Sequence, residues 1–205
     1  MAGTATRGSA SPELKLRRYR HRVERVISLA APLPAACADP ALVVLSGLPG
    51  SGKTTFARRL REAVSIGVIE SDAVRAALFA SPRYTKAESG AVFEAIHGAA
   101  AELLRRGFST LIDATNLIEA ERAIMYRVAA DAGGRLVVVR VTAPVELIRA
   151  RLAARSVEQR SAAGLEVYER MVRREQPISV RYVVVDTGGE VTSAVEAVVR
   201  EIRAR

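Results

Sequence analysis

The chain has 205 residues, of which 49% are hydrophobic and 26% charged, a composition that fits one globular domain with a buried core. The single cysteine, Cys37, excludes an internal disulfide, so we expect a fold that depends on packing alone, in a reducing, cytoplasmic setting. No apolar run approaches the roughly 18 to 20 residues that a membrane-spanning helix needs, and we expect no membrane partner.

The net charge of +9 comes from 31 basic and 22 acidic residues. A basic excess can indicate a polyanionic partner, because phosphate contacts from arginine and lysine supply most non-specific affinity for nucleic acids. Aromatic residues make up only 4% of the chain and tryptophan is absent, which disfavours a single-strand stacking platform. Composition therefore leaves nucleic acid as one possible partner. It does not indicate an oligomeric state.

The first 40 residues divide into two segments. Residues 1–12 are small and polar and predict a flexible tail. Residues 13–40 are assigned to a basic helix, predicted over 13–31, and a proline-rich linker. The helix either binds a nucleic acid or acidic substrate, or it caps the domain with a solvated charged face.

Residues 41–205 alternate between apolar runs of strand length and helical patterns. Strands are predicted at 41–45, 66–69, 108–112, 135–141 and 181–185, and helices at 53–64, 72–80, 88–105, 119–132, 145–155, 165–175 and 190–203. Continuous β-branched runs between helices favour a parallel sheet covered on both faces. We therefore predict a three-layer α/β sandwich with a five-stranded parallel sheet. Residues 155–164 interrupt two helical patterns and predict a mobile flap, within a small helical lid at about 151–166.

The strongest motif is Gly47-Leu-Pro-Gly-Ser-Gly-Lys-Thr54, which fits G-x-x-x-x-G-K-[ST] directly after a predicted strand and at the start of a predicted helix. Its glycines allow backbone N–H groups to surround phosphates, and the helix N-terminus adds a favourable dipole. Lys53 supplies a cation, and Thr54 a hydroxyl for Mg²⁺. We expect ATP to bind through Gly47, Pro49, Gly50, Ser51, Gly52, Lys53, Thr54 and Thr55. The motif leaves open whether the γ-phosphate goes to water or to a hydroxyl.

The second predicted strand leads into Asp72, with Arg75 one helical turn further on the same face. Ligands of parallel sheets bind beyond the carboxyl ends of the strands, so Asp72 would lie near the phosphate loop. There it could accept the proton of an attacking hydroxyl, while Arg75 binds an anionic group of the substrate. The alternative is that Asp72 caps a helix and Arg75 is a surface cation.

The third predicted strand ends at Asp113, whose carboxylate suits the magnesium shell, although an aspartate can equally stabilise a turn there. Arg151 and Arg155 are four residues apart and share a helix face, with Arg160 beyond them. Arginines on a closing lid can neutralise the charge that develops on a transferred phosphoryl group. The alternative is that they are solvated, as many arginines of this chain must be.

The ordered segments GLPGSGKTT, SDAVRAALF, LIDATNL with Arg122 soon after, RLAARSVEQR and GLEVYERMV resemble the P-loop kinases of the polynucleotide kinase and zeta-toxin group, over about residues 41–190. The resemblance implies that Asp72 is the general base, that Arg75 contacts a substrate phosphate and that Arg151 and Arg155 engage the phosphates of ATP. It also implies that the segment with Thr115 and Asn116 lies near the substrate.

We therefore expect an ATP- and Mg²⁺-dependent kinase that phosphorylates a hydroxyl of a small molecule or of a nucleic-acid 5′ end. The resemblance leaves the acceptor open, because kinases of this type act on nucleic-acid ends, sugars, nucleotide sugars and antibiotics. The alternatives are a regulatory module that binds or hydrolyses ATP without a phosphoryl acceptor, and a nucleic-acid-binding protein that uses the basic helix.

Overall fold

A five-stranded sheet, parallel at every pairing, forms the centre of the chain. The computed structural model describes residues 11–159 and 163–204, with side-chain surroundings for all of these except 155–159 and 163–165. The strands are β1 (Ala41–Ser46), β2 (Gly67–Glu70), β3 (Thr110–Asp113), β4 (Arg135–Thr142) and β5 (Tyr182–Asp186), in the order β2-β3-β1-β4-β5. All five predicted strands and the predicted fold class are thereby confirmed.

Helices cover both faces of this sheet. They are α1 (Pro12–Leu29), α2 (Lys53–Ala63), α3 (Ser71–Leu78), α4 (Lys86–Arg105), α5 (Glu119–Asp131), α6 (Val145–Gln159), α7 (Ala163–Val172) and α8 (Thr192–Arg203). Every predicted helix is present, with boundaries that differ by a few residues. None of the helices in the described ranges is both long and apolar enough to span a bilayer.

The central strand β1 is buried along its whole length because helices lie above and below it. Side chains of a strand alternate between the two faces of a sheet. Leu42 and Val44 therefore pack with α1, α3, α4 and α5, whereas Val43 and Leu45 pack with α2 and α8. This double burial explains why β1 reads as a continuous apolar run rather than as an alternating one.

The basic helix α1 belongs to the packed domain. Val26 is fully buried in the core, and α1 contacts α4, α3 and the edge strand β2. Its approach to α4 is close: a Cβ on Gly98 would lie 2.3 Å from Tyr19 Oη. The basic side chains Lys15, Arg17, Arg18, Arg20 and Arg25 remain exposed. The helix thus covers the domain, and whether its charged face binds nucleic acid stays a prediction.

The lid region differs from the predicted flap. The backbone of α6 is helical through Gln159, and α7 begins at Ala163, so the interruption predicted over 155–164 was wrong in its extent. A satellite apolar cluster of Ile148, Leu152 and Tyr168 joins the two helices and packs against Leu48 of the glycine-rich loop. This cluster anchors the part of α6 that contains Ile148 and Leu152.

Candidate active site

Apart from the arginines of α6, the residues predicted to bind ATP, metal and acceptor follow the ends of three neighbouring strands. Glu70 of β2 pairs in register with Asp113 of β3, and Val44 of β1 pairs with Ile112. Because all three strands are parallel, the loop after β1, the end of β3 and the start of α3 lie along one edge of the sheet. Two strand spacings, about 10 Å, separate β1 from β2.

The glycine-rich loop has the backbone geometry that its glycines predict. Gly50 and Gly52 have φ angles of +80° and +88°, in the left-handed region that favours glycine. A Cβ on Gly47 would lie 2.3 Å from the carbonyl oxygen of Val141. Gly52 immediately precedes α2, so the N–H groups of the first helical turn are available at the loop.

Two polar side chains of the loop indicate what it can hold. Lys53 is buried, and its Nζ donates hydrogen bonds to the carbonyl oxygens of Gly47 (2.9 Å) and Leu48 (3.0 Å). The hydroxyl of Ser51 is buried and has no hydrogen-bond partner among the described residues. A cradle of glycines with a lysine and an unpaired hydroxyl fits the phosphates of a nucleotide.

A buried layer of hydrogen bonds supports the loop from below. The Gly47 N–H donates to the Thr115 carbonyl oxygen at 3.0 Å. Asn116 has a φ of +45° and is 2% exposed. Its side-chain Nδ2 donates to the Leu45 carbonyl oxygen at 2.7 Å, and its backbone carbonyl oxygen accepts from Ser46 Oγ at 2.9 Å. Asn116 was predicted to lie near the substrate. Its side chain faces the interior, where it fixes the end of β1, and its place near the substrate stays a prediction.

Arg122 extends this layer to the segment after α7. Its guanidinium is fully buried and donates to the carbonyl oxygens of Asn116 (2.8 Å), Gln176 (2.8 Å) and Pro177 (2.6 Å), and to Glu119 Oε2 (2.8 Å from Nε). Burial alone would raise the pKa of Glu119, but hydrogen bonds from Ser179 and Arg122, with the charge of Arg122, hold that pKa below its ordinary value. These hydrogen bonds connect the segment after α7, at Gln176 and Pro177, to the residues beneath the glycine-rich loop.

Arg151 of α6 lies against the glycine-rich loop. It donates to the Gly50 carbonyl oxygen at 3.2 Å, to Thr187 Oγ1 at 2.9 Å and to the Thr187 carbonyl oxygen at 2.9 Å. Thr187 in turn donates to the Ser51 carbonyl oxygen at 2.7 Å. An arginine in this position can reach phosphates held by the loop. The side chain of Arg155, and all of Arg160, lie outside the described residues.

Carboxylates gather at the ends of β2 and β3. Burial, then the nearby charges of Asp113 and Asp72, raise the pKa of Glu70 above its ordinary value. Thr54, in the first turn of α2, exposes its hydroxyl, and Asp113 is almost buried at the strand end. These are hard oxygen donors, which suit Mg²⁺. Because Mg²⁺ binds through one or two protein oxygens together with substrate phosphates, the donor set fits this ion.

Asp72 and Arg75 lie on the first turns of α3 in different surroundings. Asp72 is exposed, whereas Arg75 is 7% exposed and donates to Ser89 Oγ at 3.2 Å. Its Nη1 lies 3.9 Å from Glu88 Oε2, and Nε and Nη1 have no hydrogen-bond partner among the described residues. Tyr84 covers its guanidinium, with 4.6 Å between Cζ and the ring centroid. Arg75 is therefore not the surface cation that the alternative interpretation required.

Sequence reasoning missed two contributors to this site, Thr187 and Tyr84, and noted Arg122 beside the LIDATNL segment without giving it a role. Thr187 and Tyr84 belong to no motif, and nothing in the sequence separates them from other loop residues. Arg122 follows the LIDATNL segment, and a basic residue on the otherwise buried face of a predicted helix is the signal that could have identified it.

A glycine-rich phosphate loop at the carboxyl edge of a five-stranded parallel sheet defines a P-loop nucleotide-binding domain of the kinase type. Comparison with known proteins agrees: residues 42–178 match the family model described as an AAA domain, and the chain belongs to this family. Curated relatives include an uncharacterised protein of Mycobacterium tuberculosis, 33% identical, with 56% of this chain and 26% of that protein aligned. The chain thus spans about a quarter of the length of the curated relatives that it matches.

Solved structures with this fold include several kinases. The APS kinase CysC of M. tuberculosis, in complex with AMPPNP and APS, has a TM-score of 0.62 and 20% identity, covering 81% of this chain and 99% of its own. A gluconokinase of Sinorhizobium meliloti has a TM-score of 0.57 and 19% identity, covering 80% and 92%. A structure from the PezAT toxin–antitoxin system of Streptococcus pneumoniae has a TM-score of 0.64 and 13% identity, covering 96% and 90%. The fold is that of P-loop kinases.

Proposed function

We propose that this protein is a kinase that uses ATP and Mg²⁺ to phosphorylate a hydroxyl of a small molecule or of a nucleic-acid 5′ end, in the cytoplasm. The observation that carries the proposal is the alignment of the phosphate loop, Asp113 and Asp72 along one sheet edge. A P-loop needs only the first of these to bind a nucleotide. In this proposal the exposed carboxylate of Asp72, one strand beyond Asp113, takes no part in nucleotide binding and receives the acceptor hydroxyl.

In the proposed reaction, the acceptor oxygen bonds to the γ-phosphorus as the bond between that phosphorus and the β,γ-bridging oxygen breaks. Asp72 receives the proton of the acceptor hydroxyl, and ADP leaves with the bridging oxygen. Lys53 and Arg151 stabilise the charge that develops on the phosphoryl oxygens. Bound Mg²⁺, held by Thr54 and Asp113, would neutralise further charge on the phosphates.

The buried segment at Thr115 and Asn116 supports the phosphate loop in this proposal. In this proposal Arg75 would bind the acceptor through its guanidinium, whose Nε and Nη1 make no hydrogen bond among the described residues, although Nη1 lies 3.9 Å from Glu88 Oε2. Two solved neighbours are named as an APS kinase and a gluconokinase, whose acceptors differ. The shared fold therefore does not determine the acceptor, and in this proposal the side chains around α3 select it.

The test is transfer of labelled γ-phosphate from Mg-ATP into a panel of 5′-hydroxyl oligonucleotides, nucleosides, sugars and a small-metabolite extract, with Asp72→Asn beside the wild type. We expect label in one acceptor class and a loss of about 10²- to 10⁴-fold in the variant, the usual contribution of a general base. Label released only as free phosphate, at equal rates in both proteins, would indicate an ATP-hydrolysing module instead.

A further inference from the structure

Thr187, the first residue after β5, lies against the glycine-rich loop. Its backbone N–H donates to the Thr142 carbonyl oxygen at 2.8 Å, which fixes it to the end of β4. A Cβ on Gly52 would lie 2.7 Å from Thr187 Oγ1 and 3.0 Å from Thr187 Cγ2, so the threonine side chain occupies space that only a glycine leaves open. The hydroxyl of Thr187 is thereby held at the loop.

The Thr187 hydroxyl makes two hydrogen bonds, and the chemistry of its partners determines the direction of each. A hydroxyl has one hydrogen to donate and can also accept, whereas a carbonyl oxygen only accepts and a guanidinium only donates. Oγ1 therefore donates to the Ser51 carbonyl oxygen at 2.7 Å and accepts from Arg151 Nη1 at 2.9 Å. One hydroxyl thus joins the glycine-rich loop to α6, and a valine in its place could make neither bond.

The bond to Ser51 also orients a backbone N–H of the loop. In a planar trans peptide unit the C=O and the N–H point in opposite directions. Because Thr187 holds the Ser51 carbonyl oxygen, the N–H of Gly52 is directed away from Thr187. Arg151 Nη1 holds the preceding carbonyl oxygen, that of Gly50, at 3.2 Å. Two successive peptide units are therefore fixed in the loop, whose N–H groups are what it offers to phosphates.

The same contacts fix the guanidinium of Arg151 before any ligand is bound. Nη1 donates to Gly50 and to the Thr187 hydroxyl, and Nη2 donates to the Thr187 carbonyl oxygen at 2.9 Å. A guanidinium has five N–H groups, so these bonds leave two that make no hydrogen bond in the part of the chain that the structure describes. A long side chain that is ordered in advance loses less conformational entropy when a phosphate binds to it.

We propose that Thr187 is a positioning residue for phosphate binding, because its one hydroxyl sets both the Gly52 N–H and the Arg151 guanidinium. It contacts no phosphate in this proposal and acts through Ser51 and Arg151. The inference rests on the proposed function where Arg151 stabilises the transferred phosphoryl group, so binding and transfer are measured separately. The affinity of the loop for phosphates then depends on a residue that lies outside its motif.

The first test is calorimetric titration with two probes, a non-hydrolysable ATP analogue and inorganic tripolyphosphate, each with Mg²⁺. Tripolyphosphate carries the phosphates without the base and the ribose. In Thr187→Val we expect the affinity for both probes to fall about tenfold, in the usual range for a lost hydrogen bond to a charged group. Thr187→Ser keeps the hydroxyl and should stay within about twofold of the wild type. Thr142→Val, which removes a hydroxyl that donates to the Val185 carbonyl oxygen at 3.3 Å, is the matched control. A loss for the ATP analogue alone, or an equal loss in Thr187→Ser, would overturn the inference.

A double-mutant cycle tests whether Thr187 acts through Arg151. Thr187→Val should lower the affinity for tripolyphosphate about tenfold in the wild type but only about threefold in Arg151→Met. The smaller loss is expected because only the neutral hydrogen bond to Ser51 remains to be removed. Equal losses in the two backgrounds would show that the two residues act independently, which would overturn the inference.

Phosphoryl transfer by the same variants separates this inference from the kinase proposal. At saturating Mg-ATP we expect kcat to fall about tenfold in Thr187→Val and to be unchanged in Thr187→Ser, because Arg151 would be displaced from the developing charge. The expected losses of affinity, with no transfer to any acceptor by the wild type, would leave the positioning role standing while the kinase proposal failed. Transfer by the wild type, with affinity and kcat unchanged in Thr187→Val, would overturn the positioning role and leave the kinase proposal intact.

Discussion

The two halves of the site differ in how their polar groups are satisfied. On the nucleotide side, hydrogen bonds to backbone carbonyl oxygens hold four side chains: Lys53, Asn116, Arg122 and Arg151. On the acceptor side, Asp72 is exposed, Nε and Nη1 of Arg75 make no hydrogen bond among the described residues although Nη1 lies 3.9 Å from Glu88 Oε2, and Tyr84 is 67% exposed. In the part of the chain that the structure describes, the nucleotide side is held largely by hydrogen bonds to the backbone, with the Ser51 hydroxyl left unpaired, whereas Arg75 on the acceptor side makes one side-chain hydrogen bond, to Ser89.

Under the proposed function, the difference follows from what each half would bind. Phosphates are the same in every nucleotide, so backbone N–H groups fixed by glycines and a buried network can serve any kinase of this fold. Acceptors vary, and side chains on the short helix α3 and its following loop can change without disturbing the sheet. We therefore expect substitutions on the nucleotide side to lower stability. Substitutions on the acceptor side should leave stability nearly unchanged and alter the choice of acceptor.

The largest expected effect compares the two buried arginines. Arg122→Met leaves three carbonyl oxygens and the Glu119 carboxylate without the hydrogen bonds that Arg122 donates to them. We expect it to lower the free energy of unfolding by about 3 kcal/mol. Arg75→Met removes a guanidinium that is poorly paired, so it should change stability by less than about 1 kcal/mol. Urea denaturation measures both, with exposed Arg127→Met as the control. Equal losses in the free energy of unfolding for Arg122→Met and Arg75→Met would contradict the difference between the two halves of the site.

A smaller effect is expected from two glycines in different surroundings. Gly52→Ala forces an alanine to φ near +88° and puts its Cβ 2.7 Å from Thr187 Oγ1, so we expect a loss of about 2 kcal/mol and weaker nucleotide binding. Gly90→Ala, exposed in α4 with no atom within 4 Å of the added Cβ, should stabilise by up to about 1 kcal/mol. Thermal unfolding of both variants checks the pair; a tolerated Gly52→Ala would contradict the close approach of Thr187.

The smallest effect concerns the pH dependence of the network under the loop. Because the folded pKa of Glu119 is lowered, its ionisation stabilises the fold above the unfolded value near 4.5, and this contribution is lost as pH falls through the lower folded pKa. Glu119→Gln should therefore destabilise at pH 7, by at most about 1 kcal/mol because the carboxylate is partly solvated. The urea midpoints of the wild type and of Glu119→Gln should differ at pH 7 and converge towards pH 3. A difference that is the same at both pH values would exclude the charge of Glu119 as the cause.

Local sequence was sufficient for the fold and the phosphate loop because both depend on short-range patterns. Burial on two faces makes β1 a continuous apolar run, and the turns at Gly50 and Gly52 require glycine. Contacts made across the sequence could not be predicted in this way. Thr187 reaches Ser51 over 136 positions, and Arg122 reaches Gln176 over 54.

The acceptor side illustrates the same limit. Spacing placed Asp72 and Arg75 on one helix face, but the burial of Arg75 depends on Tyr84 and Ser89, which the following loop and helix bring to it. Asn116 was predicted near the substrate, and only the tertiary structure shows its amide directed at Leu45. The catalytic roles of Asp72, Arg75 and Arg151 stay predictions.

The most direct test of a site in two halves is to measure nucleotide affinity and phosphoryl transfer in one variant from each half. Calorimetric titration with a non-hydrolysable ATP analogue and Mg²⁺ should give Asp72→Asn the affinity of the wild type, while transfer to the acceptor is lost. Lys53→Met should lose both, with Arg58→Met, exposed on the same helix, as its control. An Asp72→Asn protein that retains transfer, or that loses nucleotide affinity together with it, would contradict the account.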